Sequence, residues 1–335
     1  YRFVMKRDSG SVRYLFSKKW KGDGRMSSEY MQAQYWDGSD VYTHRESKLY
    51  MQLEDIVYHS LMGEVYTTPK PGLVDRHDNG AHRDMNVNTF AESAEAIAPY
   101  IVKMFYCGYH RSEEEQNVFL RIRKIGVEAE SEMFKATDGV NTHKGLIFTM
   151  GILSAAAGIS VRKYASVEIE EVFAICQRMT RDILQKEFDE MKHRTHSSHG
   201  EYLYHTYGEK GIRGEAMQGF PVLREVAYPS LKEYRRKAYN QNLSNINVLL
   251  QVMTRLNDTN ILSRGTKEDL DWIKARAAEI LQMDGVFTAK GYRAIQQFNL
   301  ECIEKNISPG GAADMLAAAI FLYEMEQLFG RSDTE

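Results

Sequence analysis

Hydrophobic positions recur at helical spacing through most of this chain. Leu49, Leu53, Ile56, Val57 and Leu61 trace one face of a helix over 49–66. Phe90, Ala94, Ile97, Ile101 and Met104 trace a second, and Thr89 followed three residues later by Glu92 reads as the capping box that opens it. Phe119, Ile122, Gly126, Ala129 and Met133 mark a third within Glu113–Lys135, where the acidic run Glu113-Glu114-Glu115 suits a helix N-terminus. After the turn Asp138-Gly139, a long apolar helix is expected to open at GVNTHKG and to run through Ala157. Ile169, Val172, Cys176, Met179 and Ile183 face inward from a helix over 167–191. Ser230 with Glu233 predicts the start of the next, and helices follow over 243–256, 267–283 and 289–305. In the last, Ser308 is expected as N-cap, Pro309 as first helical residue and Asp314 one turn inside.

β-branched runs are few and no internal repeat occurs, so the expected fold is all-α: a multi-helix single domain over 49–330, with its motif loops converging on one cleft. Residues 1–48 are aromatic, basic and punctuated by glycine, with Lys18, Lys19 and Lys21 close together and no sustained helix or strand period. They read as an N-terminal extension, a linker or the end of an upstream domain, and 331–335 as a tail. The chain opens at Tyr1, which leaves the completeness of its N-terminus open.

Composition narrows the function. A net charge of −3 over 335 residues gives no general attraction to nucleic acid or anionic membrane, so a polyanion site must be local. An RNA-binding patch among the N-terminal lysines is the weaker reading. Cys107, Cys176 and Cys302 are odd in number and widely spaced, which indicates neither a disulfide framework nor a cysteine zinc site and fits a reducing cytoplasm. No apolar run approaches the roughly 20 residues that span a bilayer, and no secretory signal opens the chain. A membrane is therefore not an expected partner.

The candidate chemistry lies between the helices. Thr67–Met85 reads TTPKPGLVDRHDNGAHRDM, in which Pro69 and Pro71 forbid a helix and Asn79-Gly80 signals a turn. It carries Lys70, Asp75, Arg76, His77, Asp78, His82, Arg83 and Asp84. Charged loops are commonly just solvated, but two prolines reduce the entropy lost on ordering, which suits a fixed constellation. At GVNTHKG a helix N-terminus with His143 and Lys144 beside it could seat a triphosphate; the bland alternative is a plain Asn141 or Thr142 cap with a surface lysine. His193, His196 and His199 have a spacing that could hold zinc, although Ser, Thr and Gly neighbours favour a loop of unliganded histidines. In GIRGEA, Gly211 and Gly214 flank Arg213 and permit close backbone approach, with Glu215 two residues on.

These stretches, with NDTNILSRG and SPGGAAD further on, resemble the motifs of the triphosphoribosyl-dephospho-CoA synthase family in order, over roughly 49–327. The resemblance implies an all-helical enzyme that joins ATP to 3′-dephospho-CoA and expels adenine. The product would be the precursor of the prosthetic group of the citrate lyase or malonate decarboxylase acyl carrier protein. A holo-acyl-carrier-protein synthase or the apo carrier would then be a downstream partner, and relatives fused to such a transferase give one reading of 1–48. One departure is Thr266, where the family usually has a second glycine.

Within that resemblance, Lys70, Arg83, His143, Lys144, Arg213 and Arg264 are the expected triphosphate contacts, joined by Ser308, Gly310 and Gly311 at the last helix start. The family's change from a β to an α linkage implies one direct displacement, which needs a carboxylate to take the hydroxyl proton and a donor to the departing base. Glu215 is the expected base, with Asp258 and Asp314 next, and Asp75 and Asp84 are placed near magnesium. Two rivals stand beside this reading: a non-catalytic helical sensor of ATP or CoA, and a metal-dependent phosphohydrolase or glycohydrolase.

Overall fold

The computed structural model describes the chain except residues 1–4, 9–10, 17–18, 21–25, 28–30, 33–43, 111–113, 192–198 and 331–335; before residue 47, and at residue 199, it describes backbone alone. The chain divides into two compact units, Tyr1–Met51 and Gln52–Glu335. In the first, β1 (Met5–Asp8), β2 (Ser11–Phe16) and β5 (Met31–Gln32) form an antiparallel sheet in the order β1-β2-β5, and β3 (Lys19–Trp20) pairs with β4 (Met26–Ser27). The sequence showed no sustained strand period here, because strands of two to six residues are too short to establish one.

The second unit is helical, with no strand among its described residues, as the spacing of apolar positions predicted. The helices are α1 (His44–Val65), α2 (Val87–His110), α3 (Glu115–Ala136), α4 (Lys144–Tyr164), α5 (Ile169–Met191), α6 (His199–Tyr207) and α7 (Gly211–Met217). They continue with α8 (Tyr228–Arg236), α9 (Gln241–Arg255), α10 (Thr259–Arg264), α11 (Lys267–Leu281), α12 (Ala289–Glu304) and α13 (Gly310–Phe329). A π-helical turn, Leu223–Ala227, leads into α8.

The core forms around α4, which packs against α2, α3, α5 and α13. Its residues from Met150 to Ser160 are all buried. The helix is long and apolar enough to cross a bilayer by composition, and it runs past the predicted end at Ala157; most of it is buried within the protein, which makes it a core helix. Contact with α2 is backbone to backbone. A Cβ at Gly108 would sit 2.0 Å from the Ala155 carbonyl oxygen, and one at Gly158 would sit 2.1 Å from that of Phe105, so only glycine lets the two helices approach this closely.

Three helix starts differ from expectation. Asn86, not Thr89, caps α2, its carboxamide oxygen accepting from the amides of Asn88 and Thr89 at 2.8 and 3.2 Å. Ser230 lies inside α8, where its hydroxyl donates to Gln251, because the preceding π-helical turn already supplies helical carbonyls. Ser308 does not cap α13: the helix begins at Gly310, and its first amides are met by the carboxylate of Asp258. His193 and His196, and the side chain of His199, lie outside the described residues; the backbone from His199 onward is helical.

Candidate functional site

The proline loop is organised from within by Asp75. One carboxylate oxygen accepts from the Thr68 hydroxyl (2.8 Å) and the Lys70 amide (3.1 Å), the other from the amides of His77 (2.7 Å) and Asp78 (3.1 Å). Two asparagines on other helices hold the folded loop in place. Asn242 at the start of α9 brackets Thr68, donating to its carbonyl at 2.6 Å and accepting from its amide at 2.9 Å. Asn299 on α12 accepts from Gly72 N at 2.8 Å and donates to Asp78 at 3.0 Å. Asp75 was expected beside magnesium; it is 2 % exposed with both oxygens engaged, so its chemistry is to shape the loop.

Beneath the loop lies a buried polar cluster. Lys70, 1 % exposed, pairs with Glu64 in the last turn of α1, which is 5 % exposed. A pair this deep has given up its water, so neither member can lose its partner cheaply. His143, at the start of α4, is buried as well; burial, reinforced by the nearby Lys70 ammonium, lowers its pKa to about 3 and keeps the imidazole neutral. It was expected as a triphosphate contact; it is buried and neutral.

Two aspartates meet at the head of α13, and their environments separate them. Asp258 is buried and accepts from Asn260 N (2.9 Å) with one oxygen and from Ala312 N (2.9 Å) with the other, capping α10 and α13 at once. Burial raises its pKa, and the amides of Asn260, Ala312 and Gly311 oppose that rise. The glycines at this helix start admit that loop: a Cβ at Gly311 would lie 2.8 Å from Asp258 Oδ1, and one at Gly310 would lie 3.1 Å from Asn260 Nδ2. The anion seat at α13 is therefore filled by the protein's own carboxylate. Asp314, one turn further, has no such donors among the described residues. Burial first, then the charges of Asp258 and Glu64, raise its pKa well above the ordinary carboxylate range. Its Oδ2 lies so near Gly145, in the first turn of α4, that a Cβ there would be 2.8 Å away. Both pKa values are raised by burial, and of the two acids Asp258 is the one whose backbone donors oppose the rise.

Around this cluster the other expected residues divide. His82 Nε2 donates to Ser308 Oγ at 2.8 Å, while its Nδ1 accepts from Arg264 at 3.3 Å; Arg264 also donates to the Ala81 carbonyl at 3.3 Å. Burial and the adjacent Arg264 lower the His82 pKa to about 4, so the bridge joining the loop to α10 and to Ser308 is neutral at the histidine. Arg83 and Asp84 are exposed, Asp84 3.8 Å from His82 Nδ1. Lys144 is exposed and pairs with Glu130 of α3 at 3.0 Å. Arg213 makes no hydrogen bond or ion pair among the described residues, and Gly211 at the head of its helix packs on Thr259 of α10.

Glu215 has a different setting. Its Oε2 accepts from Val222 N at 3.1 Å, bridging the turn in which Phe220 has φ of 54°. Burial raises its pKa to about 7, the Val222 amide opposes this, and Glu225 is its charged neighbour. Among the described residues no three His, Cys, Asp or Glu side chains converge as a metal-ligand set. Magnesium does not fit the expected pair, since Asp75 is fully engaged by the loop and Asp84 is exposed beside His82 with no second carboxylate converging on it among the described residues.

Sequence reasoning missed Glu64, Ser93, Asn242 and Asn299. Glu64 carried a signal: it continues the spacing of Leu53, Val57 and Leu61, and so places a carboxylate on the apolar stripe. Ser93 likewise follows Phe90 by three within the α2 stripe. The two asparagines had none, because what singles them out is distance in sequence from the loop they hold.

A family model described as ATP:dephospho-CoA triphosphoribosyl transferase matches residues 50–333. The 2-(5″-triphosphoribosyl)-3′-dephosphocoenzyme-A synthase of Escherichia fergusonii is 39% identical over 272 residues, covering 81% of this chain and 89% of the relative. A probable synthase of that name from Vibrio cholerae is 36% identical over 275 residues, covering 82% and 88%, and one from Streptococcus mutans is 35% identical over 283 residues, covering 80% and 94%. No solved structure matches. With the family model and these relatives spanning nearly the whole helical unit, the chain belongs to the ATP:dephospho-CoA triphosphoribosyl transferase family.

Proposed function

We propose that this chain transfers the triphosphoribosyl group of ATP to 3′-dephospho-CoA with release of adenine, and that Asp314 is its general base. The observation that carries the assignment is the position of Asp314, where α4, α10 and α13 meet above the Lys70–Glu64 pair, with a proton affinity raised by burial and by two neighbouring carboxylates. In the transfer, the 2′-oxygen of dephospho-CoA bonds to C1″ of the ATP ribose as the C1″–N9 bond breaks. The hydroxyl proton passes to Asp314, and adenine leaves with the electron pair and is protonated from water as Asp314 gives its proton back. A base must be ionised before it acts, so kcat/KM rises with pH until Asp314 has lost its proton.

Asp258 has both oxygens committed to helix amides, which suits a structural part better than a catalytic one. Arg83 and Arg213, free of ion pairs among the described residues, and Arg264 at the edge of the loop are the cations best placed to hold the triphosphate. Lys144 reaches it only by leaving Glu130. Lys70 acts from below through its charge. Magnesium would arrive on ATP, held chiefly by phosphate oxygens and water; Asp84 is the exposed carboxylate that could add an outer contact. The product would serve an acyl carrier protein through a later transferase, as precursor of the citrate lyase or malonate decarboxylase prosthetic group. Glu215, with a pKa of about 7, is the second candidate for the base.

Adenine release from ATP, followed with and without 3′-dephospho-CoA, tests this reading. Release that requires the acceptor is expected. No release would leave a nucleotide sensor, and release without acceptor would leave a hydrolase.

A further inference from the structure

His143 has one nitrogen engaged and one without a partner. Nδ1 lies 2.6 Å from the hydroxyl of Ser93, while Nε2 is buried and makes no hydrogen bond among the described residues. Ser93 is itself fully buried on α2, and the Thr142 hydroxyl donates to its oxygen at 2.7 Å. Ser93 makes no other side-chain hydrogen bond among the described residues, so its own proton is directed to Nδ1. A neutral imidazole that accepts at Nδ1 carries its proton on Nε2. The ring is fixed edge-on against Phe90, centroids 5.0 Å apart, and the His143 amide is held by the Met133 sulfur at 3.3 Å. The product is an immobilised N–H donor with nothing to donate to, close enough to Lys70 to feel its charge.

We propose that Ser93 is a positioning residue for the transfer, holding His143 as the Nε2–H tautomer so that this N–H donates to a ring nitrogen of the adenine of ATP as the glycosidic bond breaks. The inference rests on ATP being the substrate. Charge decides between the two ends of ATP. A neutral donor adds little to a triphosphate that arginines can hold, whereas a purine nitrogen is a neutral acceptor that gains negative charge when the C1″–N9 electron pair moves onto the ring. His143 keeps its proton throughout, and its hydrogen bond strengthens toward the transition state.

Long-range proton–nitrogen correlation spectra of the histidines, with His143 assigned by loss of its signals in His143→Gln, test the tautomer. The parent is expected to show the Nε2–H form at neutral pH, Ser93→Ala to lose it, and Ser93→Thr, which keeps the hydroxyl, to retain it. Adenosine should move the Nε2 signal and inorganic triphosphate should not. In turnover, the parent should lose about 10²-fold with 3-deaza- or 7-deaza-ATP, whichever lacks the acceptor; Ser93→Ala should lose as much with ATP and little more with that analogue. An Nδ1–H tautomer in the parent, a response to triphosphate instead of adenosine, or full turnover with both analogues would overturn the proposal. Should Ser93→Ala not fold, the parent's spectrum and its two analogues still decide. If the parent releases no adenine even with dephospho-CoA, the substrate reading has failed, and the tautomer spectrum still judges the Ser93–His143 pairing.

Discussion

Where α2 meets α4, backbone lies against backbone and the side chains between them are small or apolar: Ala94, Ile97, Ile101, Ala155 and Ala156 are all at most 1 % exposed. At the head of α13 the buried groups are instead Glu64, Lys70, His143 and Asp258, with Asp314 beside them. The first region is held by shape, where each contact is weak and many of them act together. The second is held by a few hydrogen-bonded charges, each expensive to remove. The two are joined through α4, whose middle lies in the apolar core and whose first turn carries His143 as its cap and Gly145 against Asp314. A rigid core thus fixes one wall of a site whose other walls are polar, which suits a reaction that depends on placement to a fraction of an ångström.

The hardest break in this contrast should come from Asp314. Asp314→Asn keeps the shape of the side chain and removes its proton affinity, so turnover should fall ~10²- to 10⁴-fold. The rise of kcat/KM with pH should disappear with it. Thermal stability should hold or improve, because the fold already disfavours ionisation of Asp314 and an amide cannot ionise. Parental turnover in Asp314→Asn, with loss in Glu215→Gln, would transfer the base role to Glu215.

Next in size is the buried ion pair. Lys70→Met strands the Glu64 carboxylate in the interior and should cost about 3–5 kcal/mol in urea unfolding. Joining it to Glu64→Leu should restore most of that stability without restoring activity. If the single change costs no more than a surface substitution, the cluster is wetter than its burial indicates.

In the apolar region, Gly158→Ala drives a methyl toward the Phe105 carbonyl and should cost about 1–3 kcal/mol, the range for overpacking. Turnover per folded molecule should stay close to parental, since the strain lies far along α4 from Gly145. A large loss of kcat at unchanged stability would show that the core transmits strain into the site.

Glu215 provides the pH test. Its folded pKa of about 7 exceeds the ordinary 4.5, so between those values the folded state holds a proton that the unfolded chain has released. Its contribution is complete below the ordinary pKa and is lost as pH rises through about 7, at up to ~1.4 kcal/mol per pH unit. His82, lowered to about 4, acts the opposite way, losing its contribution as pH falls from 6.5. The parent's curve mixes the two, and the difference between parent and Glu215→Gln isolates the glutamate. Parallel curves would mean that Glu215 is not held protonated by the fold.

Most of the helices were legible in the sequence because periodicity is a local property. The helix starts were less so: Thr89, Ser230 and Ser308 each looked like a cap, yet Asn86, a π-helical turn and the distant Asp258 do that work. A cap supplied by another segment leaves no trace near the helix it serves. The motifs did mark the segments that meet at the site, but not the parts of their residues. Asp75 and Asp258 have the charge of a metal ligand or a base and spend it on backbone amides, whereas Glu64 and Ser93, outside every motif, are in the cluster. Burial and hydrogen-bond supply separate these roles, and both are properties of the assembled fold.

The smallest effect belongs to Thr266, a position where the chain departs from the pattern its resemblance implies. Thr266 stands where a second glycine is usual, and if that glycine were needed for a left-handed turn, threonine would be strained. The backbone here is extended instead, with φ −120° and ψ 177°, a conformation open to either residue. Threonine adds a complete capping box: its hydroxyl accepts from Asp269 N at 3.3 Å, and the Asp269 carboxylate accepts from Thr266 N at 3.0 Å. Thr266→Ala should therefore cost about 1 kcal/mol and Thr266→Gly only a few tenths, in line with N-cap substitutions elsewhere. Neither should change turnover, because α11 begins beyond Arg264, the residue that donates to the loop at Ala81. Urea unfolding and adenine release measured on the same two variants separate the possibilities: a loss of activity in Thr266→Gly at near-parental stability would mean that the capping box holds Arg264 against His82, and that the departure from the family pattern has tuned the site.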